Sequence, residues 1–436
     1  MTALGIGNTP CLTNISQNLF VRTAIYCLNL WKMVSCARKQ TQTVTSKQFC
    51  QFEIHDQISE KFLYLKIMNY FFELSTTIYM EDQMTRMMRA QVVEAPGKMV
   101  MKQVPIPAIN DDEVLIKVKM CGICGTDLKI YSGEYAKEHL PFIPGHEFWG
   151  VIEEVGKNAK GLKAGDRVSA DICLTCGTCY FCRHGDPLLC ESFTQLGIHT
   201  NGAYAEYIKA PWKNCYLIPD SVDDYSAAFI EPMTAVLESS KVMNCKTASS
   251  VVVIGCGLGI LHAVMAKLRG AAPVIIIGDS KKRLAMAQKM GVADFYINIT
   301  DGIDPVVEVK RITNGIGADY VLEAVGTTAT YEQAFQMVRR GGAVEAFGVV
   351  GKGKMAQFEP FEFVLGEKKI RGSCAGIGND WGEVIKLLSY NRIDPRPMFS
   401  QVVPLEDLEN ALHELKNDKE IIKMFVNPEA TERVIF

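Results

Sequence analysis

Four cysteines in one short lobe, Cys176-x2-Cys179-x2-Cys182-x7-Cys190, constrain this chain more than any other feature. Four thiolates at that spacing can close a tetrahedron around one Zn²⁺, the coordination of structural zinc sites. Cys173 also makes a CxxC pair with Cys176, so spacing alone leaves open which four bind. The chain holds 15 cysteines, five of them between Cys173 and Cys190 and four in the first fifty residues. That is too uneven for a disulfide framework and points to metal binding in a reducing compartment, hence a cytoplasmic location. A zinc-ribbon nucleic-acid module would also show cysteine pairs, but the chain has no basic stripe to go with them. With 46 Lys and Arg against 49 Asp and Glu, the net charge is −3, so no nucleic-acid partner is expected. No charge-free apolar run is long enough to span a membrane, and no membrane partner is expected either.

The length of 436 residues suggests two or three domains at about 150 residues each. Residues 1–87 differ from the rest. From Met1 to Phe52 there is no Asp or Glu, against five Lys or Arg. This extension reads as a start placed too far upstream, a targeting segment that would direct the chain to mitochondria, or an extra element. From Met88, short β-rich runs separated by Pro, Asn and Gly predict an all-β barrel with inserted loops. Its strands are expected in Arg89–Pro96, Glu113–Lys119, Gly150–Gly156, Asp166–Ala170 and Ala203–Ile208, and helical periods begin near Tyr225.

Ser249–Gly255 is a wholly apolar run of the kind buried on both faces of a parallel sheet. Alternation follows: a helix to about Arg269, strand Pro273–Gly278, helix Lys281–Met290, strand Asp319–Glu323, helix Tyr331–Val338 and strand Ala343–Phe347. This predicts a doubly wound α/β domain. The turn Gly255-Cys-Gly257-Leu-Gly259 joins the apolar strand to its helix, where a pyrophosphate can approach the backbone and meet the helix N-terminus. Asp279 ends the next strand, placed to accept both ribose hydroxyls of NAD and to repel a 2′-phosphate. Lys281, Lys282 and Arg283 lie close enough to soften that preference. A second, scattered set contains Cys124-Gly-Thr-Asp127, Gly145-His146-Glu147 and Ile230-Glu231-Pro232. It offers a thiolate, an imidazole and two carboxylates, and three protein ligands with an open position is the pattern of catalytic zinc.

With these motifs the chain from about Met88 onward resembles the zinc-dependent medium-chain dehydrogenase/reductases. Gly165-Asp-Arg-Val168, Glu323-Ala-Val325-Gly326 and Arg340-Gly-Gly342 add to the likeness. The resemblance implies a GroES-like catalytic domain over 88–235, a Rossmann domain over 236–374 and a C-terminal return to the first domain over 375–436. It also implies a homodimer or homotetramer. Cys124, His146 and Glu147 become expected ligands of a catalytic zinc. Glu231, where the alcohol dehydrogenases proper carry cysteine, becomes a fourth ligand or the hydrogen-bond partner of a water on the metal. Glutamate there is similar to the polyol (sorbitol or threitol type), threonine and butanediol dehydrogenases. The turn is a residue shorter than the usual G-x-G-x-x-G, and Lys129 stands where many relatives carry a relay histidine.

The resulting expectation is an NAD-dependent enzyme with two zincs per chain that oxidises a small secondary alcohol, most simply a polyol. Thr126, Lys129 and Glu231 are its expected catalytic residues. Gly255, Gly257, Gly259, Asp279, Arg283 and Val325 are its expected cofactor contacts, and Cys176, Cys179, Cys182 and Cys190 bind the structural zinc. L-Threonine 3-dehydrogenase and butanediol dehydrogenase are the alternatives within that chemistry. A catalytically silent cofactor-binding protein is the alternative outside it.

Overall fold

The computed structural model describes residues 86–436. The expectations for residues 1–85 (targeting segment, upstream start or extra element) lie outside the described residues.

A six-stranded sheet forms from runs that are apolar at nearly every position. Val251–Ile254 and Val274–Gly278 are buried at all positions, because helices cover both faces. The strand order is Phe295–Asn298, Val274–Gly278, Val251–Ile254, Ala318–Glu323, Val338–Ala346, Lys369–Gly372, and every pairing is parallel. The order reverses direction between Val251–Ile254 and Ala318–Glu323. In such a sheet, ligands bind at the carboxyl ends of the strands at that switch point.

Sequence reading placed four of these strands, three to within a few residues and the fourth, expected at Ala343–Phe347, beginning earlier at Val338. It missed two edge strands and the helices Pro305–Ile312 and Pro360–Leu365. Lys369–Gly372 is exposed along its whole length and Phe295–Asn298 buries only Ile297, so neither carries the apolar signature of an inner strand. The helix Pro305–Ile312 did have a start signal: the Asp304 carboxylate accepts the N–H groups of Val306 and Val307 ahead of a first-turn proline.

The second sheet runs in the order Val434–Ile435, Phe399–Pro404, Lys423–Asn427, Glu113–Gly122, Glu147–Val155, Arg167–Ala170, Cys215–Leu217. Tyr207–Pro211 also pairs with Glu113–Gly122. The tail strand Lys423–Asn427 pairs antiparallel with Glu113–Gly122, so the end of the chain completes the sheet that carries the first metal-type residues. The strand expected at Ala203–Ile208 is displaced to Tyr207–Pro211. The N–H groups of Gly202, Ala203 and Tyr204 donate instead to Ile143, Gly145 and Pro144 carbonyls at 2.6–3.0 Å. That backbone holds the loop before His146 and is lost to the ladder.

Candidate active site

Cys124 caps the helix Gly125–Ser132 immediately after Glu113–Gly122. The Ile123 N–H donates to the Met424 carbonyl at 2.9 Å, so the tail strand fixes where that helix starts. Asp127 reaches back over the first turn: one carboxylate oxygen accepts the Cys124 N–H and the Tyr204 hydroxyl, both at 2.8 Å. Its other oxygen lies 3.4 Å from His146 Nδ1. His146 and Glu147 enter their strand through Gly145, whose φ of 97° and whose lack of a Cβ are both required. A Cβ there would lie 2.8 Å from Tyr204.

The result is a three-residue cluster. The ligand atoms of Cys124, His146 and Glu147 all lie within 4.8 Å of one another, with Cys124 half-buried and the other two buried. Lys423, itself buried, forms an ion pair with Glu147. His146 Nδ1, Asp127 Oδ1 and Glu147 Oε2 are buried without a hydrogen-bond partner, although Asp127 and Lys423 supply charge contacts. Burial works against the charged imidazole of His146, but the Asp127 carboxylate and the Cys124 thiol outweigh it and hold its pKa well above the ordinary range. Buried polar atoms left this way signal a missing partner. Thiolate, imidazole and carboxylate are the donor types zinc takes, so the residues fit that ion. The Asp127 contact holds the His146 ring by its Nδ1, as carboxylates do beside histidines that bind a metal.

The other expected catalytic residues sit around this cluster. Thr126 is half-buried in the first turn of the same helix. Lys129 points across to the other half of the molecule, donating to the Val349 carbonyl at 3.1 Å. Glu231 is buried at the start of the helix Ile230–Met243 but is not one of the three residues whose ligand atoms cluster. Burial pushes its carboxyl up to about 8, with the charges of His146, Glu147 and Lys423 acting on it.

A cavity of about 250 Å³ opens beside the cluster, lined by Cys124, Gly125, Leu128, Leu258, Ile422 and Lys423 among others. Leu258 belongs to the glycine turn, so the cluster and the turn share one cavity. A larger hollow of about 400 Å³, between Arg86, Lys117, Glu206 and Glu429, has no such convergence. Its charges are paired off, Lys117 with Glu429 at 2.7 Å.

The glycine turn fits close approach. Gly255 has φ 115°, and a Cβ on it would meet the Val325 side chain at 3.0 Å. Gly259 opens the helix Gly259–Leu268, and a Cβ there would meet Val253 at 3.0 Å, so it lets helix and strand pack closely. Arg283 lies against the turn, with Nη1 3.8 Å from where a Gly257 Cβ would be. Asp279 accepts the Lys419 ammonium at 2.9 Å, and that contact holds its carboxyl below the usual range.

In the cysteine lobe, the sulfurs of Cys176, Cys179, Cys182 and Cys190 lie within 4.8 Å of one another. Cys173 stands apart and is buried, its thiol directed at the Gly376 carbonyl at 3.6 Å, which resolves the choice that spacing left open. The Thr178 and Cys179 N–H groups donate to Cys176 Sγ at 3.4 and 3.3 Å, and the Cys176 N–H donates to Cys190 Sγ at 3.3 Å. Backbone donors aimed at sulfur fit a thiolate–zinc site.

Sequence reading assigned no role to Asp127, Tyr204, Lys419 or Lys423. Asp127 was accessible as the third residue of a helix after its cap, a capping-box position. The tail lysines carried no local signal.

Two family models match the chain: the alcohol dehydrogenase GroES-like domain over residues 110–220 and the zinc-binding dehydrogenase over residues 257–390. The chain is 33% identical over 344 residues to D-arabinitol dehydrogenase 1 of Uromyces fabae, covering 78% of this chain and 97% of that one. It is 34% identical over 318 residues to L-threonine 3-dehydrogenase of Bacillus velezensis, covering 71% and 90%. Among solved structures it superposes on a zinc-binding dehydrogenase of Sinorhizobium meliloti 1021 bound to NADP, with a TM-score of 0.74, 30% identity and coverage of 79% and 100%. The chain therefore belongs to the zinc-dependent medium-chain dehydrogenase/reductases, oxidoreductases with a GroES-like and a Rossmann domain that work with zinc and a nicotinamide dinucleotide.

Proposed function

We propose that this enzyme oxidises a secondary hydroxyl of a polyol to a ketone, passing the hydride to NAD and releasing a proton. The carrying observation is the single cavity shared by Cys124 and Leu258, which joins the metal-type cluster to the dinucleotide turn. Cys124, His146 and Glu147 would hold the catalytic zinc, and Cys176, Cys179, Cys182 and Cys190 the structural one. When bound, zinc supplies the Lewis acidity that makes an alcohol hydroxyl easier to deprotonate, and the nicotinamide supplies the hydride acceptor. The chain's own residues orient the substrate and move its proton. The Thr126 hydroxyl would relay the proton outward, and Glu231 would accept a hydrogen bond from a neighbouring hydroxyl. Lys129, engaged with the Val349 carbonyl, would not replace the relay.

The relatives named for arabinitol and for L-threonine frame the choice of substrate. Glu231, a buried carboxyl beside the three-residue cluster, offers a second hydroxyl of a polyol an acceptor and offers the carboxylate of threonine no positive partner, and a silent dinucleotide binder has no need of the metal-type cluster. Asp279 favours NAD over NADP through the ribose hydroxyls. The proposed domain division is 88–235, 236–374 and 375–436. For assembly, the open edge Lys369–Gly372 lies close in sequence to exposed Phe361, Val364 and Leu365, and this face would pair with a second copy in a homodimer, the unit from which a homotetramer would be built. Among the described residues all the cysteines are free, which agrees with a cytoplasmic location; no helix there is long and apolar enough to cross a membrane.

A panel of polyols, L-threonine and ethanol with NAD tests the reading. A polyol should give the highest kcat/KM and ethanol a poor one. Thr126→Val should lower turnover about 10²–10⁴-fold, the usual contribution of a proton-transfer group, with zinc content and NADH affinity retained. A preference for ethanol over every polyol, or unchanged turnover in Thr126→Val when chemistry limits the rate, would overturn it.

A further inference from the structure

We propose that Lys419, from the C-terminal tail, sets how strongly the enzyme prefers NAD to NADP, because with Arg283 it forms a cationic seat for a 2′-phosphate beside Asp279. The proposal rests on the reading that a nicotinamide dinucleotide binds at Gly255–Gly259.

An acid at the end of the second parallel strand discriminates between the two dinucleotides only while its charge faces the ribose. Here the Asp279 carboxylate accepts the Lys419 ammonium at 2.9 Å. The Lys419 and Asp279 side chains are 76% and 41% exposed, so this is a solvent-facing pair that can open at little cost when a ligand arrives. The tail that carries Lys419 is nonetheless fixed in place. Ser280 Oγ donates to Glu420 Oε1 at 2.9 Å, the Arg283 guanidinium donates to the Ile421 carbonyl, and Lys423 pairs with Glu147. Residues 419–423 thus run as a strap from Asp279 to the metal-type cluster, so the backbone of Lys419 stays beside Asp279 while its side chain can swing.

Arg283 supplies the second charge. Its guanidinium lies against Gly257 and its Nε is buried without a hydrogen-bond partner, an unspent donor at the edge of the dinucleotide turn. Lys281 is drawn off to Asp301 at 3.0 Å. The basic run 281–283 therefore offers its arginine to this spot, and the missing cation comes from a residue 140 positions further along the chain. A phosphate dianion meeting a bare carboxylate is repelled. Meeting a carboxylate already neutralised by Lys419, with Arg283 alongside, it is accepted. On this account NAD remains the preferred cofactor, by a margin that Lys419 keeps small.

The test is direct binding of NADH and NADPH to the zinc-loaded enzyme, followed by nicotinamide fluorescence. Lys419→Ala should raise the ratio of the NADPH Kd to the NADH Kd about tenfold, or ~1.4 kcal/mol. Lys419→Arg should keep the ratio low. Added salt should raise the ratio in the wild type more than in Lys419→Ala, because the phosphate contact is ionic. A ratio that does not change in Lys419→Ala while both dinucleotides still bind would overturn the role of Lys419 and leave the dinucleotide site standing. Failure of the wild type to bind either one would overturn both. Gly257→Val, which should weaken NADH and NADPH alike, tells these two failures apart from loss of the discriminating residue.

Discussion

The cysteine lobe and the cleft cluster both gather metal-type side chains within a few ångströms of one another, and they do so by opposite means. The lobe is one contiguous segment with Cys176 exposed. Its sulfurs are steadied by backbone N–H groups, the Thr178 donor foremost, which bring the Cys176 thiol down to about 6. The cleft cluster is gathered from a helix cap, a strand start and, through Lys423, a tail strand more than 270 residues away from its partner Glu147. Its charges are balanced inside the protein by Asp127 and Lys423. A site closed by four sulfurs on one loop can tie that loop together but offers no position for a substrate. A site built from three elements around a cavity can bind one. The difference separates a device for folding from a device for chemistry.

That contrast breaks or sharpens under substitution. The largest effect on stability should come from Cys179→Ser. Structural zinc contributes free energy directly to folding, so several kcal/mol and roughly 10 °C of melting temperature should be lost. Turnover per folded molecule should stay near that of the wild type. Calorimetry and kinetics on one preparation check this, and lost turnover with an unchanged melting temperature would merge the two roles. A smaller effect should follow Asp127→Asn, which removes the charge that orients His146 without touching a ligand. Zinc affinity at the cleft, or turnover, should fall about 10–100-fold, the usual cost of losing an outer-shell partner. The lobe metal and the melting temperature should be little affected. Loss of the lobe zinc in this variant would show that the sites are not independent.

The same contrast explains what could be read in advance. Four cysteines on one loop carry their geometry in their spacing, and only the competing Cys173 needed a structure to be set aside. Cys124, His146 and Glu147 each look ordinary in sequence; their donor types suggest a set, and resemblance to a family names them as its ligands. Lys423 could not be found that way. It is a lysine in a short apolar strand, and its burial makes sense only once Glu147 is seen beside it. Glu231, expected as a fourth ligand or as the hydrogen-bond partner of a water on the metal, is buried and is not among the three residues whose ligand atoms cluster. In the Rossmann half, the inner strands were legible because both faces are buried, whereas Lys369–Gly372 has no buried face to leave a pattern. The glycine turn was legible in its strand and helix, but Lys419, the partner of Asp279, lies in another part of the chain.

Zinc counting with metal-edge X-ray absorption, on the wild type and on Cys124→Ser, tests the division between the two clusters most directly. The account predicts two zincs per wild-type chain, one with four sulfur ligands and one with mixed sulfur, nitrogen and oxygen ligands. Cys124→Ser should lose the mixed site and all turnover, and should keep one zinc with its four-sulfur signature and a nearly unchanged melting temperature. A single zinc in the wild type, or loss of both from Cys124→Ser, would contradict it.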